Sequence, residues 1–258
     1  MSRNFELLQR LQVEAGQLPS AETATPPVGT APAAAVSDRT ANDRVLDAAE
    51  PGMRGESMKL VQRLFLTPGK EVPKAVTFAA IDSHNGCTRI CANTARILAD
   101  SVPGTVCLVE ANFRTPSLAR MFGMESGSGL GDALRQEGPI KSWAKQVGPA
   151  NLWLIFGGKV SDDPSNPLDC DRLGQRIAEL RREFDYLVID APPLNAYADG
   201  MVWGQLSDGV VLILEANSTR REAALRVTES LRSTRITLLG AVLNKRTFPI
   251  PDVFYKRI

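Results

Sequence analysis

Residues 75–100 of this 258-residue chain read AVTFAAIDSHNGCTRICANTARILAD. The stretch opens with the apolar run Ala75–Ile81, passes through the polar turn Asp82–Gly86, and continues as a helical pattern over Thr88–Asp100. A short apolar strand that leads through a turn into a helix is the repeating unit of parallel α/β proteins. These residues therefore predict the first strand of a parallel sheet and the helix that follows it.

The same alternation continues toward the C-terminus. Strands are predicted at Thr105–Ala111, Leu152–Phe156, Tyr186–Asp190, Val210–Leu214 and Ile236–Leu243, and helices at Cys170–Glu183, near Ala198–Leu206 and at Thr219–Ser233. The strand segments are apolar along their length, so we expect helices to cover both faces of the sheet. The predicted fold class is α/β, with a doubly wound, mainly parallel sheet flanked by helices.

The N-terminal part of the chain has a different composition. Residues 1–55 contain ten alanines and five prolines but only one aromatic residue, Phe5. So little apolar surface cannot offset the entropy of ordering the chain, which predicts a disordered tail over residues 1–55. Helical spacing of apolar residues over Asn4–Val13 indicates a short helix there, either docked on a partner or frayed in solvent. The folded domain is expected to span residues 56–258.

Charge and hydropathy exclude several classes of protein. The formal net charge is +1, from 30 basic and 29 acidic side chains, so no overall field attracts nucleic acid. The apolar runs are far shorter than the roughly 18 residues that span a bilayer. The N-terminus lacks the pattern of a signal peptide, which predicts a cytoplasmic protein. Reduced thiols are expected at the four cysteines, which are Cys87, Cys91, Cys107 and Cys170.

The turn after the first predicted strand is the candidate ligand site. In doubly wound sheets, this turn commonly holds phosphate at the N-terminus of the following helix. A phosphate-binding loop has the pattern GxxxxGK[ST]. On this turn the pattern retains Gly86 and Thr88, but Ile81 replaces the first glycine and Cys87 replaces the lysine. Taken alone, the turn fits either a phosphate loop or an ordinary connection from strand to helix.

Ordered segments elsewhere carry a resemblance to a known family. CANTA at residues 91–95 resembles the AANLA helix of the deviant Walker proteins, which include MinD and ParA. VCLVEANFRTPSL at 106–118 and FDYLVIDAPP at 184–193 are similar to the LLIDADLRRPSL and FDYVIIDTPP motifs of bacterial polysaccharide-biosynthesis tyrosine autokinases, the CpsD, CapB and Wzc kind. Weaker matches follow the same order at 129–132, 166–167, 198–200, 208–210 and 239–244. The resemblance covers residues 56–258 and implies a P-loop NTPase-like fold.

The resemblance also implies ligands, partners and site residues. The ligands would be ATP or ADP with magnesium. The positions that match nucleotide-binding residues are Ser83, His84, Asn85, Gly86, Cys87, Thr88, Arg89 and Asn244. Thr88 and Asp190 match the magnesium-binding positions, and Glu110 and Asp190 match catalytic acidic positions. The implied partner is a membrane polysaccharide co-polymerase or chain-length regulator, which would hold the chain at the inner membrane, and the chain would form homo-oligomers.

Departures from the family pattern place the activity in question. Cys87 cannot neutralise a transferring phosphoryl group as the loop lysine does. Arg89 is cationic, but two residues along a helix turn its side chain by about 200° away from that position. Asn112 replaces an aspartate and cannot act as a carboxylate base, while Glu110 keeps the charge on a longer arm.

Other residues leave alternatives open. His84 fits either an anion contact or a solvent-exposed side chain, and Cys87 with Cys91 fits either a metal or redox pair or small packing residues. Tyr255 fits either a phosphorylation site or a packing residue. The sequence predicts a kinase-like subunit with little or no activity that regulates polysaccharide export. The alternatives are an active tyrosine autokinase with an atypical loop and a MinD-like or ParA-like positioning ATPase.

Overall fold

A computed structural model describes residues 51–69, 71–159, 169–197 and 199–246 of the chain. The predicted helix at Asn4–Val13, the motif at 166–167, Ala198 and Tyr255 lie outside the described residues. The elements, in chain order, are α1 (Pro51–Phe65), β1 (Ala75–Ala80), α2 (Cys87–Ser101), β2 (Val106–Glu110), α3 (Leu118–Met121), α4 (Leu130–Ala133), a 3-10 helix (Ile140–Trp143), β3 (Ala144–Gln146), β4 (Leu152–Ile155), α5 (Cys170–Glu183), β5 (Tyr186–Asp190), α6 (Asp199–Leu206), β6 (Gly209–Glu215), α7 (Arg221–Ser233) and β7 (Leu238–Asn244).

Seven strands form one sheet in the order β3-β4-β2-β5-β1-β6-β7. Every neighbouring pair is parallel except β3 and β4, which are antiparallel. The prediction of a doubly wound, mainly parallel α/β sheet is therefore confirmed. β1 is an interior strand between β5 and β6, so the loop that follows it opens on the carboxyl edge of the sheet, where such sheets bind their ligands.

Two apolar layers cover the sheet because successive side chains of a strand point to opposite faces. On β1, Val76, Phe78 and Ala80 pack with the buried faces of α1 and α2. Ala75, Ala79 and Ile81 pack on the opposite side with α5, α6 and α7. Every residue of β1 and β2 is buried, which explains why their sequences, apart from Thr77 and Glu110, are apolar rather than alternating.

Several features differ from the sequence-based expectation. The first of the described helices spans Pro51–Phe65, so residues 51–55, which composition assigned to the tail, are helical. The composition of residues 1–55 is an average, so it does not show the change at residue 51. Proline is also well accommodated in the first turn of a helix. The short edge strand β3 was not predicted, since three residues carry too little periodicity to distinguish a strand from a loop. No helix among the described residues is both long and apolar enough to cross a membrane.

Candidate functional site

The loop between β1 and α2 adopts a backbone that suits an anion. His84 and Gly86 both have left-handed φ angles, 65° and 81°. Gly86 directly precedes α2, so the loop ends at the N-terminus of a 15-residue helix. Left-handed residues between right-handed or extended ones curl successive N–H groups toward a common centre, and a helix N-terminus adds its positive dipole end. These are backbone features that phosphate-binding loops use.

The left-handed conformation at His84 is unusual for a residue with a side chain. It costs about 1–2 kcal/mol relative to the right-handed region. The imidazole is exposed at the surface of the loop, as are Ser83 and Arg89, whereas Asn85 is buried. Strained backbone of this kind persists only where the surroundings hold it, which is a feature of binding sites.

Cys87 occupies the position at which a phosphate loop carries its lysine, and its side chain is buried. Burial raises the pKa of the Cys87 thiol well above its usual value, and the charge and hydrogen bond of Asp190 raise it further. The thiol thus remains protonated and offers no positive charge to a phosphate. Cys91, one turn later in α2, is also buried, and burial likewise raises the pKa of its thiol.

Thr88 and Asp190, the two positions predicted to bind magnesium, lie close together. Burial raises the pKa of the Asp190 carboxyl to about 7, although a hydrogen bond with Thr88 opposes the rise. The Oδ1 atom of Asp190 is buried and has no hydrogen-bond partner among the described residues. A carboxylate oxygen with no partner beside a threonine hydroxyl fits the oxygen ligands that magnesium prefers. When bound, magnesium would neutralise charge on the phosphates.

Glu110 directs its carboxylate toward backbone groups. Oε1 accepts hydrogen bonds from the N–H groups of Ser117 at 2.6 Å and Leu118 at 2.8 Å, and Oε2 accepts from Gly157 N–H at 3.0 Å. The residue is 1% exposed. Glu110 therefore ties the loop after β2 to the loop after β4. Its catalytic assignment stays a prediction, since both oxygens already have partners.

Asn112 has a similar local role in the same loop. Its Nδ2 donates to Thr115 Oγ1 at 2.9 Å, and its Oδ1 accepts from Thr115 N–H at 3.3 Å. The two altered acidic positions of this segment thus both hold the loop in place. Within the described ranges, no group of three His, Cys, Asp or Glu side chains is arranged to hold a metal ion.

The end of β7 contacts the phosphate loop directly. Asn244 Nδ2 donates to the carbonyl oxygen of Asn85 at 2.8 Å. Lys245 Nζ donates to the carbonyl oxygen of His84 at 2.8 Å and forms an ion pair with Glu215 Oε1 at 3.1 Å. Asn244 was predicted to belong to the site, but Lys245 and Glu215 were not. The signal for Lys245 was its position beside Asn244, whereas Glu215 stands out only once β6 is placed beside β7.

The segment after β5 also contacts the loop between β1 and α2. Leu194 and Asn195 donate from their backbone N–H groups to the carbonyl oxygens of Ala80 and Ile81. The Asn195 side chain donates to Asp82 Oδ1 at 3.1 Å. The loop between β1 and α2 is therefore held by the segment after β5 and by the end of β7.

Comparisons with known proteins show what this chain is similar to. No family model matches the chain. Tyrosine-protein kinase YwqD of Bacillus subtilis is 26% identical over 171 residues, which are 66% of this chain and 72% of that protein. Tyrosine-protein kinase CpsD of Streptococcus pneumoniae is 25% identical over 173 residues, which are 67% of this chain and 76% of that protein.

Solved structures give the same fold. The VpsO kinase domain has a TM-score of 0.67 at 22% identity, over 76% of this chain and 98% of that one. The septum site-determining protein MinD of Pyrococcus horikoshii, complexed with Mg-ADP, has a TM-score of 0.57 at 17% identity, over 71% of this chain and 76% of that one. Bacterial tyrosine-protein kinases are therefore the homologues of this chain, and its fold is that of their kinase domains and of the MinD-like and ParA-like P-loop proteins.

Proposed function

We propose that this chain is a kinase-like subunit that binds ATP or ADP with magnesium weakly and phosphorylates tyrosine slowly or not at all. The observation that carries the proposal is the replacement of the phosphate-loop lysine by Cys87. Cys87 is a buried, protonated thiol against Asp190, where a lysine would place a charge near the transferring phosphate. Loss of one such contact commonly costs about 3 kcal/mol at the transition state, or at least 100-fold in rate.

Other features support retained nucleotide binding. The left-handed turn at His84 and Gly86, the N-terminus of α2 and the Thr88–Asp190 pair all remain. These groups contact phosphate and magnesium through backbone donors and oxygen atoms, so they do not depend on the missing lysine. Each lost charged contact weakens binding by about 1.5–3 kcal/mol, which would bring a micromolar affinity close to millimolar.

The biological role follows from the family resemblance. A subunit with little activity of its own would regulate the assembly or export of an exopolysaccharide or capsule by contacts with a membrane polysaccharide co-polymerase or chain-length regulator. It would work in the cytoplasm at the inner membrane, as a homo-oligomer. This part of the proposal rests on the relatives rather than on the site, because one fold hosts many functions.

Calorimetric titration with ADP, in the presence and absence of magnesium, tests nucleotide binding. Weak, magnesium-dependent binding is expected, and both Asp190→Asn and Thr88→Ala should reduce the magnesium effect. Ser126→Ala is a matched control, because Ser126 is an exposed hydroxyl far along the chain from the loop. If neither site variant changes a measurable titration, the nucleotide binds elsewhere.

Assays of tyrosine phosphorylation with ATP and magnesium test the low activity. The alternative proposal, an active autokinase with an atypical loop, is favoured only by the retained Thr88–Asp190 pair. Robust labelling of the unmodified protein, on Tyr255 or another tyrosine, would establish that alternative. Labelling at least 100-fold below that of a relative with an intact loop would support the kinase-like subunit.

A further inference from the structure

Two consecutive residues at the end of β7 hold two consecutive carbonyl groups of the phosphate loop. Asn244 donates to Asn85 O, and Lys245 donates to His84 O, each at 2.8 Å. Lys245 itself has a left-handed φ of 53°, which turns the chain at the end of the strand. The two contacts lie on the carbonyl side of the loop, so they leave the N–H side open.

Glu215, at the end of the neighbouring strand β6, fixes the position of the lysine. Its Oε1 pairs with Lys245 Nζ at 3.1 Å. With the Asn85 side-chain amide turned so that its nitrogen faces acceptors, that nitrogen donates to Glu215 Oε2 at 3.1 Å. The Glu215 side chain is 20% exposed, so it is held more firmly than an ordinary surface carboxylate. One carboxylate therefore contacts both the loop and the lysine that supports it.

The ion pair between Lys245 and Glu215 contributes little to stability, because the Lys245 side chain is 48% exposed. Its contact with His84 O has a different effect, because that carbonyl belongs to the same peptide unit as the N–H of Asn85. A cationic donor at the carbonyl polarises the peptide and strengthens its N–H as a donor.

The Asn85 N–H and its neighbours in the loop are available to a ligand. The backbone N–H groups of Asn85, Gly86 and Cys87 donate to no acceptor in the described part of the chain. Buried or clustered backbone donors without partners are the groups that phosphate loops offer to anions. In this loop the lysine that would normally reach the phosphates is absent, so the strength of these donors matters more.

We propose that Lys245 is a positioning residue of the loop between β1 and α2, which holds His84 in its left-handed conformation and strengthens the Asn85 N–H as a donor through the carbonyl of the same peptide. The proposal rests on the proposed function, since it takes the loop to bind phosphate groups. Lys245 does not touch the phosphate in this proposal. Its positive charge acts through the peptide between His84 and Asn85 and is kept in place by Glu215.

The test compares Lys245→Met, Lys245→Arg and the control Lys141→Met. Lys141 is an equally exposed lysine, at 49%, that forms an ion pair with Glu183 far from the loop. Calorimetric titrations use inorganic pyrophosphate, ADP with magnesium, and adenosine. Lys245→Met should weaken pyrophosphate and ADP binding about tenfold, as expected for one charge-assisted contact, and should leave adenosine binding unchanged. Lys245→Arg should restore most of the affinity, and Lys141→Met should match the unmodified protein.

A second measurement does not require any nucleotide. The amide resonance of Asn85 in an NMR spectrum reports whether the preceding carbonyl accepts a hydrogen bond. It should shift in Lys245→Met and return toward its original position in Lys245→Arg. Unchanged resonance and affinity in Lys245→Met, or an equal loss for pyrophosphate and adenosine, would overturn the proposal. If the unmodified protein binds none of the three probes, the proposed function fails, while the resonance still decides the role of Lys245.

Discussion

Asn244 donates a 2.8 Å hydrogen bond to the carbonyl oxygen of Asn85, across 159 positions of the chain. The same amide lies against Gly86. A Cβ atom at Gly86 would stand 2.5 Å from Asn244 Nδ2, which is closer than real Cβ contacts come. The loop between β1 and α2 and the end of β7 are thus fitted to each other at Gly86.

Gly86→Ala should therefore destabilise the protein for two reasons. Its φ of 81° is unfavourable for alanine by about 1–2 kcal/mol, and the methyl group would displace the Asn244 amide. In an Asn244→Ala background the second effect is absent, so the same substitution should cost less. Urea denaturation of the single and double variants gives the interaction free energy.

Gly240→Ala on β7 is the matched control for this cycle. A Cβ at Gly240 meets nothing within 4 Å, and its backbone does not have a positive φ. Its free energy of unfolding should remain close to that of the unmodified protein. Strict additivity of Gly86→Ala and Asn244→Ala would contradict the close contact.

Glu110→Gln should lower the free energy of unfolding by about 2 kcal/mol or more, because three backbone N–H groups lose a charged acceptor. The amide would also bring a donor against at least one of those N–H groups. The measurement is urea denaturation at neutral pH. Glu125→Gln, at an exposed position, is the control. A negligible change for Glu110→Gln would show that its carboxylate does not hold the two loops together.

Asp190 should give the stability a distinctive pH dependence. Its pKa rises from 3.8 to about 7 on folding, mainly through burial. Between about pH 4 and pH 7 the folded state holds a proton that the unfolded state has released. The free energy of unfolding should therefore fall as the pH rises through this window, by up to about 1.4 kcal/mol per pH unit from this group.

Asp190→Asn removes the titrating group and should remove that part of the slope. The measurement is a series of denaturation curves between pH 4 and pH 8, for the unmodified protein and the variant. Asp100→Asn, at an exposed residue of α2, should retain the slope of the unmodified protein. Parallel profiles for the unmodified protein and Asp190→Asn would show that this carboxyl does not titrate in the window.

Cys87→Lys should strengthen ADP binding by about 10-fold to 100-fold, the value of one charged hydrogen bond. The size of the gain in affinity depends on whether the new ammonium group extends toward the phosphates or stays beside Asp190. In the unmodified protein, Asp190 lies beside the Cys87 thiol. Cys87→Met is the control, since it adds length without charge. Calorimetry should give no gain for Cys87→Met, and equal gains for the two variants would rule out charge as the cause.

The sequence alone determined the fold class and singled out the turn that is the candidate site. Continuous apolar runs such as Ala75–Ala80 can only be buried on both sides, so they required helices on each face of a parallel sheet. The turn at Asp82–Gly86 follows the first strand of a parallel sheet, at the carboxyl edge where such sheets bind ligands. The closeness of Thr88 and Asp190 was also predictable, because both positions match motifs of the family that the chain resembles.

Only the tertiary structure decided what the altered residues do. Nothing local to Glu110 indicates that its oxygens bind Ser117, Leu118 and Gly157, since Gly157 lies 47 positions away. Lys245 likewise meets His84 across 161 positions, through the pairing of β6 with β7. Local patterns encode the periodicity of strands and helices, but the partner of a charged side chain depends on which distant backbone groups the folded sheet brings within hydrogen-bond distance.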